Sequence, residues 1–356
     1  MIDGLDTWLR QGQHFLTNLL KPFFFVHDPS KRIFWGYLVG SLVIAALALV
    51  IRDRKQGVKE LYQKLLSPRI WLHPSSFLDM KLMLVKSLTK TLFFFSWIIS
   101  SYELAIAVVR FIHHHWGPSN NTSLSNTEIT FLYTAVLFVS SDFSRYFLHR
   151  LCHRLPLLWQ FHQVHHSAEV MTPLTLYRSH PVEHLLFIVR GALVTGLITG
   201  FFFYLFGTRA IQYQVLGVNV LGLLFNMLGA NLRHSHVWFS YGKHIEHILL
   251  SPAQHQLHHS VDQHHYDRNY GSCLSIWDWL GGSLKLARER HDLRFGLSPQ
   301  ESNHDSRNLI SALIGPFKAC WKMASARLLN RVCGEGQFSK RRRLVPWASP
   351  NMPDRQ

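Results

Sequence analysis

Long uncharged runs separated by short polar segments set the organisation of this chain. Residues 34–51 (FWGYLVGSLVIAALALVI) are uncharged and end at Arg52, Arg54 and Lys55. At about 1.5 Å per residue such a run just crosses a hydrocarbon core about 30 Å thick. It starts too far into the chain for a signal peptide and has no small-residue cleavage site, so it reads as an anchor. Further spans are predicted over 88–109, interrupted by Glu103, and over 129–148, whose last turns carry Asp142 and Arg145. The runs 191–208 and 210–232, parted only by Arg209, predict a helical hairpin with both outer ends on one side of the membrane. The 88–109 and 129–148 runs predict a second hairpin, joined by residues 113–126.

Composition supports a membrane class. Hydrophobic residues make up 47% of the 356 and charged residues only 16%, against about 25% charged in a soluble domain. The net charge of +16 would suggest nucleic acid, but the bases flank apolar spans. An anionic bilayer surface is the expected counterpart, with no nucleic-acid partner. Arg52, Lys59, Arg69, Lys81, Arg150, Arg178, Lys243 and the run 340–343 fall on one side of the predicted spans, which the positive-inside rule assigns to the cytoplasm. The N-terminus conflicts with this, because Arg10, Lys21, Lys31 and Arg32 would then lie outside unless residues 1–30 form an interfacial helix. Asn120 matches a glycosylation sequon on the outer side. Cys152, Cys273, Cys320 and Cys333 form neither a disulfide framework nor a CxxC site.

The chemistry-bearing feature is 24 histidines, 16 of them between 149 and 265. They form HRLCH (His149, His153), HQVHH (His162, His165, His166) and HQLHH (His255, His258, His259). Residues at i, i+3 and i+4 of a helix share one face, so each box can aim two or three imidazoles at a common point. Imidazole binds iron, zinc, copper and nickel. Eight such nitrogens exceed the needs of one ion that keeps a reactive position and suit two ions of about four histidines each. A bis-histidine haem would leave most of them unused.

HRLCHRLPLLWQFHQVHHS, RSHPVEH, SPAQHQLHHS and NYGSCLSIWDWLGG together resemble the sterol desaturase/fatty acid hydroxylase superfamily of membrane di-iron enzymes. The resemblance is firm over about 135–285 and looser back to His73–Asp79. It implies an all-α polytopic membrane helical bundle with a cytoplasmic histidine-ligated di-metal cap. The expected divisions are a membrane-anchoring region (1–127), a catalytic domain (128–295) and a basic cytoplasmic tail (296–356). It also implies that the eight box histidines bind two iron ions (Fe2+), with His180, His184, His234 and His236 as additional candidates and His180 the most motif-like. Asp142 and Tyr146 fit the family's D…Y…H pattern as partners behind the ligands. Glu169, Glu183, Asp262, Asp267 and Asp278 are further candidates, with Asn269–Gly271 shaping a turn. Leu280–Gly282 departs from the Phe-Gly-Thr of many relatives.

The implied activity is O2-dependent hydroxylation or desaturation of a lipid or sterol C–H position. The competing class is a polytopic metal-binding or metal-transport protein, which would need polar ligands along a path at bilayer depth. Substrate is expected between the spans near Phe201–Phe203 and Phe225–Met227, and Trp159, Trp277 and Trp279 are read as interface anchors. No GxGxxG accompanies the core, so electrons are expected from an external reductase or carrier docking on the basic face, including 340–343.

Overall fold

The computed structural model describes residues 13, 16–17, 20–52, 57–93, 100–119, 123–210, 214–215, 218–289, 292–298 and 302–332. Asn120, Cys333 and the 340–343 run lie outside them. The described chain is helical: α1 (Trp35–Arg52), α2 (Val58–Leu65), α3 (Pro68–Trp71), α4 (Pro74–Phe93), α5 (Ser101–Trp116), α6 (Asn126–Arg154), α7 (Pro156–His166), α8 (Pro181–Phe206), α9 (Val220–Met227), α10 (Pro252–His258), α11 (Ile276–Leu280) and α12 (Leu309–Val332). A two-residue antiparallel ribbon pairs Gln214 with Asn219 and Val215 with Val218.

The longest helix, α6, has 29 residues, about 43 Å at the α-helical rise. Ser125 and Glu128 start it with a reciprocal capping box. It ends at Leu155, whose extended backbone (φ −95°, ψ 117°) is what a residue preceding proline adopts; Pro156 then opens α7. The first two histidine boxes therefore sit on consecutive helices folded back at one end of α6. Ser251 and Gln254 form another capping box at the start of α10, which carries the third box.

Two of the expected spans are corrected. The 88–109 run is not one helix, because Ser100 caps α5: its Oγ accepts the Glu103 N–H at 3.1 Å and its own N–H donates to Glu103 Oε2 at 2.9 Å. The glutamate read as an interruption is the capping residue. The 210–232 run is no second arm of a hairpin either. Its described part holds the ribbon and the 8-residue α9, capped by Asn219 and followed by Gly229 at φ 83°, and 8 residues rise only about 12 Å. Among the described residues one segment, Pro181–Arg209, is long and apolar enough to cross a membrane, and Trp35–Ile51 is a shorter apolar helix.

The α6–α8 seam holds Ile129, Tyr133, Leu137, Phe202 and Phe206, with a Tyr133–Thr199 hydroxyl pair at 2.7 Å. On its other side α8 meets α5 through Gly196 and Gly200. A Cβ on Gly200 would come within 2.7 Å of both Ala105 O and Val108 Cβ, so the small-xxx-small spacing sets the approach of the two helices. Gly200→Val is expected to destabilise the protein by about 1–3 kcal/mol through overpacking. Thermal unfolding in detergent reads this, with Gly191→Val, where a Cβ has open space, as the neutral control.

The described part of 296–356 is tied to the rest of the chain. Ala312 is buried with Leu78, Leu82 and Val164, and Arg307 pairs with Glu169 at 2.7 Å.

Candidate metal centre

The three boxes converge from α6, α7 and α10 into two adjoining groups of buried imidazoles. One holds His149, His153, His162, His166 and His258; the other holds His165, His234, His255 and His259. Within each group the ligand atoms lie within 4.8 Å of one another. Successive helical positions point about 100° apart, so HQVHH divides, with His162 and His166 turned to the first group and His165 to the second. HQLHH divides likewise, giving His258 to the first and His255 with His259 to the second. The groups touch through the stacked His166 and His259 rings, whose centroids are 4.4 Å apart.

Backbone carbonyls and one carboxylate fix the ring orientations. His149 Nδ1 donates to Tyr270 O at 2.7 Å, His165 Nδ1 to Arg178 O at 2.9 Å and His258 Nδ1 to Arg268 O at 2.7 Å. His162 Nδ1 lies 2.9 Å from Glu183 Oε1. A carbonyl only accepts, so the proton sits on Nδ1 and the Nε2 lone pair faces inward. His149 Nε2 and His162 Nε2 then meet at 3.1 Å with two lone pairs opposed. In the second group His255 Nε2 lies 3.1 Å from His234 Nε2 and 3.2 Å from His259 Nε2. The Nε2 atoms of His153, His166 and His258 are buried without a hydrogen-bond partner. Opposed and orphaned lone pairs are costly in a buried site, and a cation between them resolves both. This donor set fits two nitrogen-ligated metal ions.

Burial lowers the pKa of every ring in the two groups, with like-charge repulsion from neighbouring imidazoles adding to it in most. His162 falls to about 3 and His165 to about 4. Neutral imidazole is the metal-binding form. In metal-free protein these folded values lie below the unfolded value of about 6.5, so the unfolded state takes up protons first. Stability is then whole above about pH 6.5 and is lost as the pH falls toward 4, by about 1.4 kcal/mol per pH unit for each ring that stays neutral. The melting temperature of metal-free protein should drop across that window, and the metal-loaded protein should release its ions there. A flat profile would contradict the buried neutral rings.

His180 and His184 are not brought into either group. His180 is the N-cap of α8: Nδ1 accepts the Val182 N–H at 3.1 Å and Nε2 donates to Leu313 O at 3.1 Å. His236 also lies outside the groups, whereas His234 is inside.

Asp142 holds the loop behind a ring of the centre, accepting the N–H groups of Cys273 (2.8 Å) and Leu274 (3.0 Å) and the Trp277 indole (2.9 Å). Tyr146 accepts from Arg150 at 2.7 Å, and Gly281 packs so closely on this pair that a Cβ there would collide with both. Asp278 takes the Tyr270 and Gly271 N–H groups at 2.8 and 2.7 Å, which fixes the carbonyl that orients His149. Asn269, at φ 56°, ties the same turn to Gln254 O on α10 at 3.0 Å. Trp159, expected as an interface anchor, packs against His153 at 5.1 Å and His166 at 5.5 Å between centroids, and Trp279 is exposed. Glu169 is partly exposed and pairs with Arg307, and Asp262 is exposed and pairs with His264.

Two further buried carboxylates, neither named as a candidate site residue, brace the centre. Glu246 accepts from Ser240 (2.6 Å), Ser251 (2.7 Å) and the Ala287 N–H (2.8 Å), anchoring the start of α10. Asp79 pairs with Arg178 at 2.9 Å, both fully buried. Arg178 also donates to Val164 O, Ser75 O and Ser306 O. Arg178 stands in RSHPVEH and Asp79 closes the His73–Asp79 stretch of the looser resemblance, whereas Glu246 carries no local signal.

Residues 134–283, which contain all nine imidazoles, match the fatty acid hydroxylase family model. Human alkylglycerol monooxygenase is 29% identical over 153 residues, 43% of this chain and 31% of that protein. Ornithine lipid hydroxylase OlsE of Rhizobium tropici is 28% identical over 192 residues, 52% of this chain and 50% of that protein. A Delta(7)-sterol 5(6)-desaturase of Aspergillus fumigatus is 26% identical over 202 residues, 54% and 52%. Over this region the chain is similar to members of the sterol desaturase/fatty acid hydroxylase superfamily. It spans about a third of the length of the alkylglycerol monooxygenases that it matches. No solved structure matches it.

Proposed function

We propose that this chain is a multispanning membrane di-iron oxygenase that uses O2 to hydroxylate or desaturate a C–H position of a lipid or sterol. The observation that carries the reading is the pair of adjoining imidazole groups with inward lone pairs. The names of the relatives, which include lipid hydroxylases and a sterol desaturase, support the choice of chemistry.

Two iron ions bound there would supply, from O2 and external electrons, the oxidising power that an unactivated C–H bond requires. His149, His153, His162, His166 and His258 would hold one ion, and His165, His234, His255 and His259 the other. The chain's own work is to keep nine neutral nitrogens in place. Tyr270, Arg178 and Arg268 carbonyls and Glu183 hold four of the rings in one tautomer. Burial of the rings, with Trp159 packed against His153 and His166, limits access of water. The centre belongs on the cytoplasmic side, beyond the end of α8 that begins at Pro181, with a separate protein donating electrons.

Comparative lipidomics of cells with and without the gene, grown under ¹⁸O2, tests this. A lipid carrying one ¹⁸O hydroxyl means hydroxylation, and a new double bond without label means desaturation. Identical lipid profiles, together with no O2 consumption by iron-loaded protein, would sink the proposal.

A further inference from the structure

Four arginines gather beside the metal centre. Arg233 immediately precedes His234; its Nε donates to Ala230 O at 3.1 Å, another nitrogen donates to Ser272 O, and its guanidinium lies 5.2 Å from the Phe225 ring. The next residue, Cys273, bonds through its N–H to Asp142 on α6. Arg145 is one helical turn beyond Asp142, exposed, with its guanidinium 5.8 Å from the Phe187 ring. Arg190 reaches the same stretch of α6 from α8, donating to Ser141 O at 3.1 Å and Ser144 Oγ at 2.7 Å. The Arg32 main chain is tied two residues from Arg233 by Asn231, whose amide donates to the Arg32 carbonyl at 2.7 Å, and the Arg32 and Arg233 side chains feel each other's charge.

These charges are poorly compensated. Asp142, the carboxylate beside them, is already engaged by two backbone N–H groups and the Trp277 indole. The Nε atoms of Arg32 and Arg190 are buried without a partner. Burial, with the Arg233 and Arg145 guanidinium groups adding to it, disfavours the charge on Arg32. Buried like charges without a counter-ion are costly. An anion would relieve them, and planar guanidinium forks match the oxygens of phosphate. Exposure of Arg145 leaves the cluster open to a ligand from outside.

We propose that Arg32, Arg145 and Arg233 seat the phosphate of an anionic lipid headgroup next to His234. The inference rests on the lipid-oxidation reading and narrows its substrate to phosphate-bearing lipids. The headgroup would be fixed by charge at the rim of the centre, and the apolar remainder would lie along the bilayer-facing surface.

The test is binding of dioctanoyl phosphatidate to the purified full chain in neutral detergent, with dioctanoylglycerol and inorganic phosphate as comparisons. Phosphatidate should bind at least about tenfold more tightly than dioctanoylglycerol, a difference of about 1.4 kcal/mol. Arg145→Gln and Arg32→Gln should each remove most of that preference with metal content and thermal unfolding unchanged, and Arg145→Lys should keep part of it. Arg145 is exposed, so its variants test the site even where Arg233→Gln fails to fold. Equal binding of phosphatidate by wild type and Arg145→Gln would overturn the proposal. So would displacement of phosphatidate by inorganic phosphate at equal concentration, which assigns the cluster to a free ion. Binding is read without turnover, so protein that binds phosphatidate but oxidises nothing defeats the oxidation reading and leaves the headgroup site standing.

Discussion

His258→Ala should remove one of two metal ions and reduce turnover to below about 1% of its starting value. The ring is buried, its Nδ1 is committed to Arg268 O at 2.7 Å, and its Nε2 has no partner except the ion that we assign to the first group. Loss of a residue one shell further out already costs about 10- to 100-fold in metal affinity or activity, so loss of a ligand costs more. His165→Ala should have the same consequence for the second group, because its inward Nε2 is set by Arg178 O. His180→Ala is the control. It removes an N-cap, worth about 0.5–2 kcal/mol, but should leave both ions bound. Metal analysis of the three variants reads the difference, and a His180→Ala protein that lost an ion while His258→Ala kept two would reverse the assignment.

Asp79→Leu has the largest expected effect on stability. It leaves the fully buried Arg178 guanidinium without its carboxylate, and breaking a buried pair costs about 3–5 kcal/mol. The damage reaches the centre, because Arg178 joins α4, the end of α7 and Ser306 while its own carbonyl orients His165. The double replacement Asp79→Leu with Arg178→Met should recover much of the loss, since no buried charge then stands alone. Thermal unfolding of the solubilised protein measures both. A single replacement as stable as the parent would show that the pair does not brace the fold.

Much of the centre was legible because its signal is local. The three boxes are short helical patterns, and the 100° step between His165 and His166 is enough to divide one box between the two groups. The additional residue of the second group, His234, could be named only as one of several candidates. It reaches the group from a single 3-10 turn, Ala230–His234, which is too short to show a periodicity in the sequence. His180 looked motif-like for a different reason: a histidine before Pro181 makes a good helix cap, which a pattern of ligand residues does not distinguish. Hydropathy failed where caps decide. Ser100 and Glu103 end one apolar run and start another helix, and Asn219 and Gly229 confine α9 to 8 residues inside a run of 23 uncharged positions. Asp79 meets Thr175 and Arg178 across 96 and 99 residues, so no local window contains the pair, whereas Asp278, already a candidate, braces Tyr270, Gly271 and Ser283 within one loop.

Occupation of the two adjoining histidine groups by two metal ions is the feature on which the proposed oxidation depends. Its most direct test is the metal-to-protein ratio of the full chain, stripped of metal, reloaded anaerobically with Fe(II) and freed of excess ion. Two ions per chain are expected, falling to one in His258→Ala. One ion or none in the parent protein, or two in His258→Ala, would contradict it.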